Sequence, residues 1–484
     1  MKLQTMLQRM PRPRGDGLRL LAISAGLILF SGACNLLDVT NPDVVPTGNL
    51  SDPTALPTIR AGAIGDFALA YGGSGAGGSG GTVEGQILAT GMLGDELINT
   101  ETFPDRVQED ARQTDPSSGT FATVFTNLSR ARASTEGAAA KFRALSDTTK
   151  DPGLSEMTSL AGFTYVLFAE GYCSGVPITN LTPSGTLIYG TPLTTLQLLD
   201  TAIARFTVAL NAATAAGSAS MTNLARVGLA RANLDLGNFA AAGAAAAPVP
   251  ITFSYVTQYD LNTTRQNNGV YNGTFTFKRY GMADKEGGVG LPYISQPDPR
   301  TPIYRPSGNS GLGFDGVTPQ FDQLRYWDKK ADIPLASGLE ARLIQAEAFL
   351  QAADTVNFMA ELNRPRVDTV PQYILAGNPA APTTTTPAPI NPMSPLATPA
   401  SPAASIALLF SERARWLWLT GHRLEDMRRL VRVGGGGYGL AANTVWPNGP
   451  YFKNGLTYGG DFNLPVPLIE QNNPNFTACL DRNP

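Results

Sequence analysis

The sequence predicts a mainly α fold: a scaffold of packed helix pairs, interrupted by a loop-rich insert that contains short β-strands. Three observations predict it. Apolar residues recur at helical spacing over long stretches, alanine and glycine crowd the faces where such helices would meet, and Asn/Gly/Pro-rich turns separate short alternating segments between residues 248 and 333. With 484 residues, 43% of them hydrophobic and only 15% charged, the chain can bury a substantial core. Its 51 glycines and 37 prolines predict many loops around that core.

The N-terminus reads as a secretion signal over residues 1–33. Lys2, Arg9, Arg12, Arg14 and Arg19 lead into the apolar run 20–30, which is too short to cross a bilayer as a helix. Ser31-Gly32-Ala33-Cys34 then resembles a bacterial lipobox, which implies cleavage before Cys34 and lipidation of its thiol; an ordinary signal peptide with an incidental cysteine is the alternative. Acyl chains would anchor the protein to a membrane surface without a spanning segment. Asn35 stands where an aspartate typically retains lipoproteins at the inner membrane, so the outer membrane is favoured. Residues 34–51 read as a turn-rich tether. Without residues 1–33 the chain carries 31 Lys+Arg against 38 Asp+Glu, a net of −7, which argues against a nucleic-acid partner.

Residues 52–247 form the N-terminal helical part. Helical segments are expected at 52–71 and 86–98, followed by a loop at 99–118 whose Asn99, Phe103 and Arg106 are candidate ligand contacts. Residues 121–145, 159–172, 194–216 and 224–247 each place apolar residues at i, i+3 and i+4. The last of these, from Leu224 through Leu236-Gly237-Asn238-Phe239 into an alanine-rich stretch, resembles a tetratricopeptide unit: small residues let two antiparallel helices approach, and Leu-Gly-Asn-Phe makes the turn. Such scaffolds are binding platforms far more often than catalysts.

Within the insert at 248–333, strands are expected at 251–256, 273–278 and 323–327. Tyr271, Tyr280, Tyr293, Tyr304, Tyr326 and Trp327 lie here, and flat rings on loops are what a sugar or peptide binder needs. Tyr293 and Tyr304 are the candidate contacts; the alternative is that half or more of these rings pack the subdomain itself. In the C-terminal part, 334–484, a helix is expected through Ala352, Pro365 should end the next one early, and the Pro/Thr/Ala-rich stretch 376–404 reads as a surface loop. Residues 405–432 then read as two helices broken at Gly421.

This last stretch carries a family resemblance. Glu412-Arg413-Ala414-Arg415-Trp416, Gly421-His422-Arg423 and Glu425-Asp426-Met427-Arg428-Arg429 resemble the signature of the SusD/RagB family, surface lipoproteins that help outer-membrane transporters capture nutrients. Further similarities follow in the family's order: Gly94-Asp95-Glu96, Asp332-Ile333-Pro334-Leu335, Glu361-Leu362-Asn363, Asn463-Leu464-Pro465 and Asn473-Pro474-Asn475. Leu339-Glu340-Ala341-Arg342 departs from the family's Arg-Tyr-Ala-Glu, and Pro365 is a second departure. The resemblance implies a SusD-like helical-repeat scaffold on the cell surface, anchored by lipid in the outer membrane, that binds a glycan or peptide nutrient. As a partner it implies a SusC-like, TonB-dependent barrel on which the protein acts as a lid. It implies no catalysis, and neither a metal nor a cofactor is expected.

Other assignments stay open beside this one. His422 is the only histidine of the chain and invites a catalytic role, but no nucleophile motif accompanies it, so a structural role is expected. Asp95 or Glu96 could be cast as one of the two carboxylates of a secreted glycan hydrolase, and a helical-repeat adaptor that binds only protein is a third possibility. In an exported chain Cys173 and Cys479 can pair and tie the C-terminus to the helical body; two buried free thiols are the alternative.

Overall fold

Helix ends along the N-terminal part are written in capping side chains. A computed structural model of the protein describes residues 51–75, 82–182, 186–368 and 392–484. The expected signal peptide, the lipidation at Cys34, the tether up to residue 50 and residues 376–391 of the expected surface loop lie outside the described residues. Asp52 accepts from the Thr54 N–H at 2.8 Å ahead of α1 (Leu56–Gly72). Next come α2 (Gln86–Leu93), the strand β1 (Leu97–Asn99) and α3 (Pro104–Asp110). Ser118 caps α4 (Gly119–Leu145), and α5 (Gly153–Gly171) follows. A complete capping box, Thr194 with Gln197, starts α6 (Thr195–Ala215), and Ser218 starts α7 (Ala219–Asp235). The turn into α8 (Phe239–Ala246) uses Gly237 at φ +77, a left-handed conformation that glycine adopts without strain.

From α4 to α8 the helices pack in sequence, each against its neighbours in the chain, with α1 set against α4, which is the layout of a helical-repeat body. Their close approach depends on small residues around one ring. Phe206 of α6 sits between Gly162 of α5 and Gly228 of α7, and a Cβ on either glycine would stand 2.8 or 2.1 Å from that ring. Every residue of α5 is buried, as expected of the helix at the centre of the stack.

The insert contributes β2 (Ser254–Thr257), β3 (Tyr280–Met282), β4 (Ile303–Tyr304) and β5 (Asp322–Gln323), and β6 (Ile333–Ser337) follows it. β3 pairs antiparallel with β1, β6 with β2, and β5 with β4. The chain then returns to helices: α9 (Gly338–Gln351), α10 (Thr355–Val367), α11 (Pro402–Trp416) and α12 (Arg423–Val431). Cys173, just after α5, and Cys479 form a disulfide that joins the C-terminal tail to the helical body.

Six expectations need correction. The helix expected over 86–98 stops at Leu93, because Asp95 takes a left-handed φ of 62 and residues 97–99 pair instead with β3. The loop expected at 99–118 contains α3. The alternating Thr-Phe-Thr-Phe stretch is a helical turn and not a strand: Asn268 caps it, and Gly273 lies where a Cβ would come within 2.8 Å of Leu88, so packing overrides the period-two pattern. Pro365 does not end its helix; α10 runs two residues past it, since a proline this near the C-terminus removes a single hydrogen bond. The last of the three expected strands is confined to Asp322–Gln323, and helix α11 begins inside the stretch read as a loop, with Ser401 as its cap.

The arginine-rich stretch is a clamp. Arg413 and Arg429 share Asp426, at 2.8 and 2.7 Å, and Arg429 also pairs with Glu347 of α9. Arg428 donates to the last carbonyls of α5, Ala169 and Glu170, at 2.8 and 2.7 Å, and Arg342 does the same for Ala246 at the end of α8. A guanidinium that satisfies several carbonyls at a helix end also meets the negative end of the helix dipole. Glu412 binds Arg300 and Arg366 at 2.6 and 2.9 Å, which draws the insert and α10 onto the same point. His422 belongs to this frame: its Nε2 lies 3.0 Å from Glu340 and its Nδ1 2.9 Å from the Thr420 hydroxyl, both buried. His422→Ala is expected to cost about 1–3 kcal/mol of stability, the penalty for stranding buried partners. Denaturant titration measures it, and ligand affinity per folded molecule should not change.

Candidate functional site

Two concavities share Ile294 and Phe321 in their walls. The first, of about 510 Å³, is walled by Tyr293, three prolines (Pro297, Pro299 and Pro302) and Leu324. The second, of about 570 Å³, is walled by Ile98 and Met282 from the β1–β3 pair and by Pro450, Phe452 and Tyr458 from the C-terminal loops. Both are of the size and apolar character that suit small ligands.

Phe452 (49% exposed) lines the second concavity, and two more exposed rings, Phe103 (49%) and Phe314 (55%), lie on segments bonded to the residue beside it. They come from three distant segments that one ammonium ties together. Lys453, beside Phe452, donates to the Asn99 carbonyl at 3.0 Å, the Asn99 side chain at 2.9 Å and the Glu101 carbonyl at 2.8 Å. It also pairs at 2.7 Å with Asp315, the neighbour of Phe314. Although partly buried, Asp315 is held down to about 2 by hydrogen bonds from Lys453, Thr318 and backbone N–H groups, so this carboxylate stays ionised throughout the physiological range.

The candidates named from the sequence divide between surface and interior. Phe103 is exposed, with the Arg106 guanidinium 5.4 Å from its ring centroid. Arg106 itself is buried, paired with Glu84 at 2.7 Å and Glu101 at 2.6 Å. Asn99 is fully buried, and its N–H donates to Asp110 at 2.7 Å. Asn99 and Arg106 therefore shape the site from beneath and present no polar group at its surface, because charged and amide groups removed from water are taken up by internal partners. Tyr293 is 3% exposed and contributes its ring to a wall, stacked on Trp418 at 6.2 Å. Tyr304 is half-buried on β4 and lines neither concavity. Phe314, Phe321, Phe452 and Lys453 were not singled out from the sequence. The signal for two of them was Tyr451-Phe452-Lys453, an aromatic pair next to a cation inside a Gly/Asn-rich loop.

No protein-family model matches the chain, and no curated protein does. Solved structures do. A SusD-like protein from Bacteroides fragilis aligns with a TM-score of 0.59 at 12% identity, over 90% of this chain and 98% of that one. A SusD superfamily protein from Parabacteroides distasonis aligns with the same score, 0.59, at 13% identity, over 88% and 98%. The chain has the SusD-like fold. A SusD-like carbohydrate binding protein from Bacteroides vulgatus aligns at 0.51 and 14% identity, over 78% of this chain and 83% of that one.

In this SusD-like fold the carboxylates considered for hydrolysis face inward. Asp95 is fully buried and accepts both bonds of Arg423, at 2.8 and 3.0 Å; Glu96, equally buried, accepts from the Leu419 N–H at 3.0 Å. Among the described residues no group of three or more His, Cys, Asp or Glu is placed to hold a metal ion. Burial pushes the Glu96 carboxyl up to about 8. An acid raised in the folded state stabilises the fold most below its unfolded value, and that contribution is lost as pH rises through the folded one. Glu96→Gln is accordingly expected to flatten the decline of stability between the ordinary glutamate value of 4.5 and about 8. Unfolding titrations of both proteins across that window provide the check.

Proposed function

We propose that the protein is a non-enzymatic, lipid-anchored binding protein of the outer-membrane surface that captures oligosaccharides and passes them, as a lid, to a TonB-dependent SusC-like barrel. The observation that carries the proposal is the exposed Phe452 ring on the wall of an apolar concavity, with the exposed Phe103 and Phe314 on segments that Lys453 binds to the same loop. Ring faces stack on the C–H faces of sugars, and loops fixed by Lys453 lose little entropy when they do so. The carbohydrate binding named for one of the structural relatives favours the same ligand class. The lipobox-like Ser31-Gly32-Ala33-Cys34 supports the anchor, and among the described residues no helix is long and apolar enough to cross a membrane.

Calorimetric titration against a panel of glycans tests the binding half. Phe452→Ala should weaken the best ligand roughly tenfold, the scale of losing one well-packed aromatic contact of about 1–2 kcal/mol. Co-purification from membranes tests the transport half, and the absence of any barrel in the pull-down would remove it.

A further inference from the structure

Two neighbouring side chains in the wall of the second concavity keep unused polar atoms. Asp284 is half-buried there, and its Oδ1 alone accepts three bonds, from the Ile294 N–H at 3.0 Å, the Ser295 N–H at 2.9 Å and the Ser295 hydroxyl at 3.0 Å. Its Oδ2 has no hydrogen-bond or ion-pair partner among the described residues. Lys285 comes next in the chain and is exposed, yet its ammonium pairs neither with Asp284 nor with any other carboxylate among the described residues. Glu286, the other acid of this wall, is buried and accepts the Tyr458 hydroxyl at 3.0 Å. Burial, with Asp110 and Asp95 nearby, pushes its carboxyl well above the ordinary range, so it adds little charge.

The backbone holds both free heads in place. Lys285 takes a left-handed φ of 52, its N–H donates to the Leu291 carbonyl at 3.0 Å, and the Gly288 N–H returns to the Lys285 carbonyl at 2.9 Å. This turn is pressed against the loop that carries Phe452: a Cβ on Gly287 would stand 2.5 Å from the Asn448 nitrogen. One carboxylate oxygen and one ammonium therefore line the same concavity as the Phe321 and Phe452 rings, and their charges cancel. An anionic sugar would set its own carboxylate or sulfate against Asp284, and an amino sugar its ammonium against Lys285. A neutral hexose meets neither penalty. A carboxylate oxygen accepts from two adjacent hydroxyls, and an ammonium donates to a third oxygen.

We propose that the ligand of this concavity is a neutral oligosaccharide selected by Asp284, whose free Oδ2 accepts from two adjacent hydroxyls of a hexose stacked on Phe452 while Lys285 donates to a further sugar oxygen. This rests on the glycan-binding function proposed above and narrows it. The decisive variant is Asp284→Asn: the amide oxygen keeps the three bonds of Oδ1, and only the free oxygen becomes an NH2 that cannot accept. The signal-free protein and this variant are titrated calorimetrically with maltohexaose, cellohexaose, mannohexaose, an oligogalacturonide and its carboxyl-reduced, neutral form. At least one neutral glycan should bind the parent, and Asp284→Asn should weaken it about tenfold with melting unchanged. The reduced oligogalacturonide should bind the parent more tightly than the acidic one, a comparison that needs no variant, and Asp284→Asn should narrow that gap. An Asp284→Asn protein that melts like the parent and binds the neutral glycan equally well overturns the proposal, as does a parent that prefers the acidic form. Either result leaves the glycan-binding function standing. No binding of any glycan overturns both.

Discussion

Arg429→Ala is expected to destabilise the protein by about 3–5 kcal/mol, the cost of removing one partner from a buried ion pair. Arg429 is 1% exposed and bonds to Asp426 at 2.7 Å and to Glu347. Without it, Glu347 keeps the Tyr438 hydroxyl at 2.8 Å, but the next cation, Arg413, stands at 3.9 Å. Against the effect of burial, Arg413 and Arg429 hold Asp426 well below the usual carboxylate range, so removal of either cation raises the cost of keeping that carboxylate charged. The matched control is Arg364→Ala. Arg364 also reaches two acids, Glu361 at 3.3 Å and Asp368 at 3.5 Å, but its side chain is 42% exposed, and an exposed pair contributes at most about 1 kcal/mol. Urea unfolding of the two variants beside the parent distinguishes a clamp that holds the fold from a surface network that does not.

Loss of the Cys173–Cys479 disulfide is the second large effect. The bond links residues 306 apart in sequence, and closing so long a loop restricts the unfolded chain strongly. The Cys173→Ala, Cys479→Ala double variant is expected to lose about 2–5 kcal/mol. The loss should be felt first in the tail: Cys173 is buried beside α5, whereas the tail is held otherwise by contacts such as the Leu480 N–H to the Ser174 carbonyl at 2.7 Å. Limited proteolysis with mass mapping should show cleavage after residue 464 in the variant before any cut in the helical body.

The helical body was legible because its signals are local. Helix caps at Ser118, Thr194 and Ser218, the turn at Gly237 and the break at Gly421 each depend on residues within a few positions of one another. The insert was less so. Thr274 to Phe277 alternates like a strand, yet the direction of the backbone there is set by Asn268 and by the space under Gly273, which a period-two pattern does not encode. The site was the least legible part. Asn99 and Arg106 look like surface polar residues on a loop, and only the fold shows that Asp110, Glu84 and Glu101 lie beneath to receive them. Phe103, Phe314 and Phe452 lie more than a hundred residues apart, and their segments are joined through Lys453, a convergence of tertiary structure with no trace in local sequence.

Those three rings carry the functional proposal, and the most direct measurement is a titration of glycans into the signal-free protein and into its Phe103→Ala, Phe314→Ala, Phe452→Ala triple variant. All three side chains are about half exposed, so the variant should fold and melt like the parent. The expected result is saturable binding of at least one oligosaccharide to the parent and a loss of about a hundredfold or more in the variant. A parent that binds no glycan, or a variant that binds as tightly as the parent, would contradict it.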